Sequence, residues 1–438
     1  MPTPVDRLFV QCKELVTLAD GPPTGPRRGA AMRALGVVPD GAVAVRGGRV
    51  VATGPTDAMR RDYRAQEELD LSGYVVMPGF VDCHTHPVFA ATREGEFHQR
   101  CAGADYMAIA EQGGGILSSM RAVRAASLEE LTARTTDHLW GFLAHGTTTV
   151  EAKTGYGLSL ADEEKSLRAL AAAMREVPID VVRTFLGAHE FPPEYRDDRE
   201  AYVRLLCERM IPALASLADA CDVFAEPGVF DRVQSLRILS AARAEGLRLR
   251  MHADELSSMG GAELAVELQA DSADHLGRIS DDGIARMAAS DTTAVLLPGT
   301  GFCLGKDIYA PARRMIEAGC AVAIATDFNP GSCFTQSMTL IQTLACVKLK
   351  LTPAEAIVAS TINAAFSLRR DGEIGTLHPG KRADLVALEL PSSAAVGYAF
   401  GGNPVIATIK DGVPVCANGT ERNPELFQGA RGKPAAGG

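Results

Sequence analysis

Short apolar runs alternate with longer stretches of helical periodicity through the middle of this 438-residue chain. Eight such runs stand out, at 74–82, 147–151, 181–187, 222–226, 247–251, 271–273, 292–297 and 321–325. Continuous apolar runs of this length, bounded by turn residues, read as strands buried on both faces, and strands alternating with helices read as βα units. Eight units predict an α/β protein built on a (β/α)8 TIM barrel. Among the intervening helices, Ser127-Leu128-Glu129-Glu130 has the form of a capping box, and Asp231 and Ser257 are candidate caps for two others.

The two ends of the chain carry a different pattern. Apolar segments at 42–45 and 49–52 flank Gly47-Gly48, which predicts a β-hairpin. Near the other end, 383–390 is strand-like, and 405–409 and 413–416 flank Lys410-Asp411-Gly412 as a second hairpin. Residues 1–73 and 381–438 are therefore expected to form one small β-sandwich domain beside a barrel spanning 74–380. The segment 21–31 and the tail from Asn418 onward, rich in Gly, Pro and Arg, are expected to be loop and frayed terminus.

A barrel of this kind carries its chemistry at the C-terminal ends of its strands, and those positions are polar here. His84 and His86 follow the first run, Lys153 and Tyr156 the second, His189 the third and Glu226 the fourth. His252 and Glu255 follow the fifth, His275 the sixth, and Asp327 and Asn329 the eighth, while the seventh leads into Pro298-Gly299-Thr300-Gly301. Histidine and carboxylate donors suit a Zn or Fe ion with one coordination position open, and a His-x-His pair on extended chain points both rings to one side. His84, His86, His252 and Asp327 are the candidate metal ligands. A lone strand-end histidine is usually structural, but donors from several strand ends of one barrel form a set that chance rarely assembles. A divalent cation there lowers the pKa of water from about 15.7 to roughly 7 and polarises a carbonyl, which is equipment for hydrolysing an amide. Asp327 is placed to take the proton of the attacking water and return it to the leaving nitrogen, and His275 to orient the nucleophile or stabilise an oxyanion.

Composition narrows the partners. With 54 acidic against 44 basic residues, a net charge of −10 and no Lys/Arg stripe, nucleic acid is not an expected partner. No apolar run reaches the roughly 20 residues of a membrane-spanning helix, and the first residues lack the apolar core of a secretory signal, so a cytoplasmic location is expected. The ten cysteines contain no C-x-x-C pair and read as free thiols rather than disulfides.

Several words of the sequence are more specific. Asp82-Cys83-His84-Thr85-His86-Pro87-Val88-Phe89 with Arg93, Gly113-Gly114-Gly115-Ile116, Lys153-Thr154-Gly155-Tyr156-Gly157-Leu158, Gly187-Ala188-His189, Ser272-Ala273-Asp274-His275-Leu276 and Asp327-Phe328-Asn329-Pro330-Gly331-Ser332 resemble the imidazolonepropionase family of the amidohydrolase superfamily. The resemblance covers about residues 74 to 416. It implies hydrolytic opening of a small-molecule substrate, 4-imidazolone-5-propanoate, to N-formimino-L-glutamate in histidine breakdown, with one Zn or Fe ion. It also implies that Arg93 binds the substrate carboxylate, that Tyr156, His189, Asn329, Gly331 and Ser332 contact substrate or product, and that Glu255 binds or protonates the ring nitrogens. A homodimer is an expectation from the family alone. Some cyclic amidohydrolases bridge two metals with a carboxylated lysine after the fourth strand, but Lys153 follows the second run and Glu226 ends the fourth, so one metal is favoured. The rival readings are a purine or pyrimidine aminohydrolase on the same barrel and a non-catalytic metal-binding barrel. Arg93 and Tyr156 separate the first rival, since a deaminase has no need of a carboxylate clamp.

Overall fold

The computed structural model describes residues 1–104 and 113–417, so the expectation for the tail from Asn418 lies outside the described residues. One sheet joins the two ends of the chain. It comprises β1 (Thr3–Val16), β2 (Val37–Arg46), β3 (Arg49–Pro55), β4 (Tyr63–Asp70) and β5 (Val75–Pro78), together with β14 (Leu385–Leu388), β15 (Val405–Lys410) and β16 (Val413–Ala417). The order is β16-β15-β14-β5-β1-β2-β3. The long β1 pairs in parallel first with β4 and then with β5 along the same edge. Both expected hairpins are present: Arg46 faces Arg49 across Gly47-Gly48, and Lys410 faces Val413 across Asp411-Gly412. All four turn residues have positive φ, from 49° to 73°, the backbone that matches the right-handed twist of two-residue hairpins. Phe9, Leu15 and Val43 from one part of the sheet meet Leu385, Ala407 and Ile409 from another in a shared core, so the small module is one sheet folded over its own interior.

The second sheet is the barrel. Its strands are β6 (Phe80–Asp82), β7 (Thr147–Lys153), β8 (Asp180–Ala188), β9 (Ala220–Ala225), β10 (Arg248–Ala253), β11 (Ser272–His275), β12 (Thr293–Leu296) and β13 (Val322–Ile324), each parallel to the next. Each of the eight predicted runs overlaps one of them, with ends that differ by at most two residues except at 74–82. Between β13 and β6 the ring closes without a regular ladder. Asp82 accepts the backbone N–H and hydroxyl of Thr326 at 3.0 and 2.6 Å, and just beyond it Asp327 N donates to His84 O and His86 N to Phe328 O, at 3.0 and 2.8 Å. Closure of the barrel is thus made by the same segments that carry the candidate ligands.

The run at 74–82 is in fact two strands in two sheets, β5 and β6. They part at Gly79, where a Cβ would come within 2.4 Å of Thr148 Oγ1. Both halves are buried, so apolarity continues across the break. Ser127 and Asp231 form full capping boxes for helices Leu128–Ala144 and Arg232–Ala244. Ser257 is not a cap, a departure from expectation: Gly260 occupies the N-cap of Gly261–Glu267, and the Ser257 hydroxyl donates to Glu226 at 2.8 Å. The 21–31 loop is fastened to the barrel by Asn363, whose amide exchanges hydrogen bonds with the backbone of Arg27 at 2.7 and 2.9 Å. All ten cysteines are free thiols, and among the described residues no helix is long and apolar enough to cross a membrane.

Candidate metal centre and active site

Alternation along an extended chain sends Asp82, His84 and His86 to the same side, and the barrel turns that side inward. His84 Nε2 lies 3.3 Å from His86 Nε2, and Asp327 Oδ1 lies 3.5 and 3.4 Å from these two nitrogens. Tetrahedral coordination with bonds of about 2.0–2.1 Å places donor atoms about 3.3–3.4 Å apart, so the three atoms already have the spacing of ligands around one ion. His252 and His275 each offer an atom within 4.8 Å of the other's and of one on His84. Burial pushes both His84 and His86 well below the usual imidazole range, with Lys153 adding to the effect at His84 and His189 at His86. Neutral imidazole is the form that ligates, and two of them converging with a carboxylate oxygen fit a divalent cation.

Carboxylates from other strands of the barrel aim the rings. Asp274 Oδ2 is 2.6 Å from His84 Nδ1, and Asp222 Oδ2 is 3.0 Å from His252 Nδ1, which leaves each Nε2 directed at the mouth. Beneath them Lys153 Nζ lies 2.8 Å from both Glu151 Oε1 and Asp222 Oδ2 and 3.8 Å from Asp274 Oδ2. Lys153 is therefore a buried counter-charge. Glu226 is likewise engaged, accepting Leu256 N and Ser257 Oγ at 2.8 Å each and so tying the loop after β9 to the loop after β10.

Asp327 receives a hydrogen bond from Thr300 Oγ1 through its other oxygen, and burial raises its pKa. Its φ is 53°, and that of His275 is 76°, a left-handed backbone that costs about 1–3 kcal/mol at each non-glycine position. At His275 the consequence is visible. A regular strand would send Asp274 and His275 to opposite faces, whereas here both reach the ring of His84, one by hydrogen bond and the other with centroids 5.5 Å apart. His275 Nε2 is 3.7 Å from Glu255 Oε2, whose other oxygen is 3.6 Å from Lys306 Nζ. Burial works to raise the Glu255 pKa, but His275 and Lys306 outweigh it and hold the carboxyl below its usual range.

A cavity of about 510 Å³ opens above this floor, lined by Arg93, Tyr156, His189, Glu255, His275, Asp327, Asn329 and Ser332 among others. His189 donates through Nδ1 to Gly155 O, 3.0 Å away, stacks on His86 with centroids 5.1 Å apart, and has its pKa pushed by burial down to about 3. Arg93 donates through Nε and Nη2 to Glu96, at 3.0 and 2.8 Å, and Glu96 also accepts Gly115 N. Gly331 lies behind that guanidinium, where a Cβ would come within 2.3 Å of it. Asn329 shapes the same loop: its Oδ1 accepts the N–H groups of Gly331 and Ser332, and its Nδ2 donates to Asp327 O and Ser332 Oγ. Every residue singled out in the sequence thus lies at one end of the barrel, with Gly331 packed behind the wall.

Sequence reading missed the residues that hold the others: Glu151, Asp222, Arg250, Asp274, Thr300 and Glu96. A signal for three of them existed. Glu151 and Arg250 stand two positions before Lys153 and His252, hence on the same inward side, and Asp222 is an acid that opens the strand-like run 222–226.

The amidohydrolase family model matches residues 75–415, and an imidazolonepropionase-like composite domain of bacteria matches 41–65. The imidazolonepropionase of Symbiobacterium thermophilum is 50% identical over 96% of this chain and 99% of its own length. That of Chloroflexus aggregans is 46% identical over 95% and 99%. The chain belongs to the imidazolonepropionase family. Membership makes it a hydrolase of a cyclic amide bond, within a family of metal-dependent enzymes, and the chain has a histidine cluster that could hold a metal ion. Two solved structures, a zinc-bound adenosine deaminase from Xanthomonas campestris and guanine deaminase from E. coli, superpose with TM-scores of 0.74 at 20% and 15% identity. They cover 98% and 94% of this chain, and it covers 97% and 99% of theirs. At such identities the likeness speaks for the shared barrel and small sheet, not for deamination.

Proposed function

We propose that the barrel mouth opens the ring of 4-imidazolone-5-propanoate to N-formimino-L-glutamate with a single Zn or Fe ion held by His84, His86, His252 and Asp327. The observation that carries this reading is the 3.3–3.5 Å triangle of two neutral Nε2 atoms and one carboxylate oxygen at the floor of a cavity that also presents a guanidinium. When bound, such an ion makes water acidic enough to supply a nucleophile at neutral pH and polarises the ring carbonyl. Asp327, with one oxygen at the ligand nitrogens and the other held by Thr300, accepts the proton of the attacking water and passes it to the leaving ring nitrogen. His275 supports the oxygen on which negative charge develops. Glu255, kept anionic by His275 and Lys306, receives the ring N–H groups. Arg93, steadied by Glu96, clamps the propionate, and Tyr156, His189, Asn329 and Ser332 form the wall, with Gly331 giving the guanidinium room.

The test is turnover of freshly generated imidazolonepropionate, followed by loss of imidazolone absorbance and by mass identification of formiminoglutamate. Arg93→Ala should raise KM about 10- to 100-fold, the worth of a charge-assisted hydrogen bond, without changing metal content. No turnover in metal-replete protein, or an unaltered KM in the variant, would overturn the reading.

A further inference from the structure

Below the ligands lies a buried layer of three carboxylates, Glu151, Asp222 and Asp274, and two cations, Lys153 and Arg250. The cations divide the work unequally. Arg250 lies 3.7 Å from Glu151 and 3.8 Å from Asp274, and its Nη atoms are anchored on the carbonyls of Ser367 and Cys83. Asp222 has no such support. Among the described residues, Lys153 is the one lysine or arginine within 4.0 Å of it, at 2.8 Å. Asp222 in turn uses the same oxygen, Oδ2, towards His252 Nδ1 at 3.0 Å, while its Oδ1 accepts the backbone N–H of His252 at 3.2 Å.

We propose that Lys153 is a positioning residue for the metal centre, acting through Asp222 to fix the ring of His252 and, more weakly, through Asp274 to fix that of His84. The geometry supports this order. Lys153 is 2.8 Å from Asp222 but 3.8 Å from Asp274, and Asp274 keeps Arg250 when the lysine is removed. Lys153 also braces the ligand strand through its backbone, which donates to the carbonyl of Thr85, between His84 and His86, at 3.0 Å. That contact survives any side-chain substitution, so loss of the ammonium isolates the route through the carboxylates. His252 is the ligand that should loosen first.

The inference rests on the ligand set proposed above, and zinc affinity separates the two ideas. Zinc dissociation constants would be measured by competition with a chromophoric chelator for the unaltered protein, Lys153→Met and Lys410→Met. Loss of an outer partner of a metal-ligating histidine weakens binding about 10- to 100-fold, and Lys153→Met is expected to fall in that range. Its kcat at saturating zinc should fall while KM stays within about twofold, because the lysine does not reach the cavity wall. Lys410→Met removes a similarly buried ammonium far from the mouth and should lower the melting temperature with zinc affinity unchanged. A folded Lys153→Met with unaltered zinc affinity overturns the proposal. Should that variant not fold, Asp222→Asn, which keeps the Lys153–Glu151 pair, carries the test: it must lose zinc affinity comparably, and unchanged affinity again overturns the proposal. Failure of the unaltered protein to bind zinc would overturn the ligand assignment itself, and this inference with it.

Discussion

Lys410, at the seam between the small sheet and the barrel, and Lys153, under the barrel mouth, stand in clusters of similar make-up, each a buried ammonium among three carboxylates. At the seam, Lys410 is 2.9 Å from Asp384, 3.2 Å from Asp180 and 3.5 Å from Asp411, and Arg382 meets Asp180 and Asp411 at 2.8 and 2.5 Å. The partners come from the start of β8, the segment before β14 and the β15–β16 turn, and Asp411 N completes Asp384. That cluster closes on itself, so its charges bind two parts of the fold to each other. Under the mouth there are again three carboxylates, but the oxygens of Asp274 and Asp222 that face the cations also face His84 and His252. There the cluster opens onto imidazoles, and its charges aim ligands. One arrangement holds the protein together, while the other holds a site in readiness at some cost to the fold, since buried ion pairs rarely stabilise more than well-packed apolar side chains would.

Substitutions should split along that line. The largest effect is expected from Asp327→Asn, which keeps the shape but removes the base: kcat should fall about 10²- to 10⁴-fold, the usual worth of a general base, with the melting temperature unchanged or higher. A modest loss of rate with a marked loss of stability would erase the distinction. Asp384→Ala should do the reverse, costing about 1–3 kcal/mol of unfolding free energy by removing the nearest carboxylate of the buried Lys410, while metal content and KM of the surviving folded protein stay as they were. Chemical denaturation together with metal analysis reads both quantities. The smallest effect belongs to Gly331→Ala, which forces the Arg93 guanidinium aside without touching any ligand. KM should rise about tenfold, equivalent to roughly 1.4 kcal/mol, with kcat nearly preserved. If kcat fell instead, the loop would be serving Asp327 rather than the clamp.

The difference between the regions also explains what the sequence disclosed. Barrel strands are buried on both faces, so runs such as 292–297 and 321–325 are mostly apolar and easily seen, 271–273 and 147–151 being the faintest, and the ligands follow as polar residues at strand ends. The small sheet was legible at its two glycine-bearing hairpins and at 383–390, which holds β14. Its longest strand, β1, mixes Asp6, Arg7, Lys13 and Glu14 with apolar residues, and β4 reads Tyr-Arg-Ala-Gln-Glu-Glu-Leu-Asp, an exposed edge with little apolar signal. The break at Gly79 was hidden because close packing against Thr148, not a change in polarity, divides the strands. Asp274 was hidden because the left-handed turn at His275 suspends the alternation that would have revealed it. Thr300, Glu96 and Ser257 act through contacts between segments distant in sequence or across a loop, which local pattern cannot register.

The central claim, that one ion at the triangle of His84, His86 and Asp327 serves ring opening, is tested most directly by stripping the protein of metal and titrating zinc or ferrous iron back while following imidazolonepropionate loss. The account predicts that activity rises linearly and levels at one equivalent per chain. A plateau at two equivalents, or full activity in the stripped protein, would contradict it.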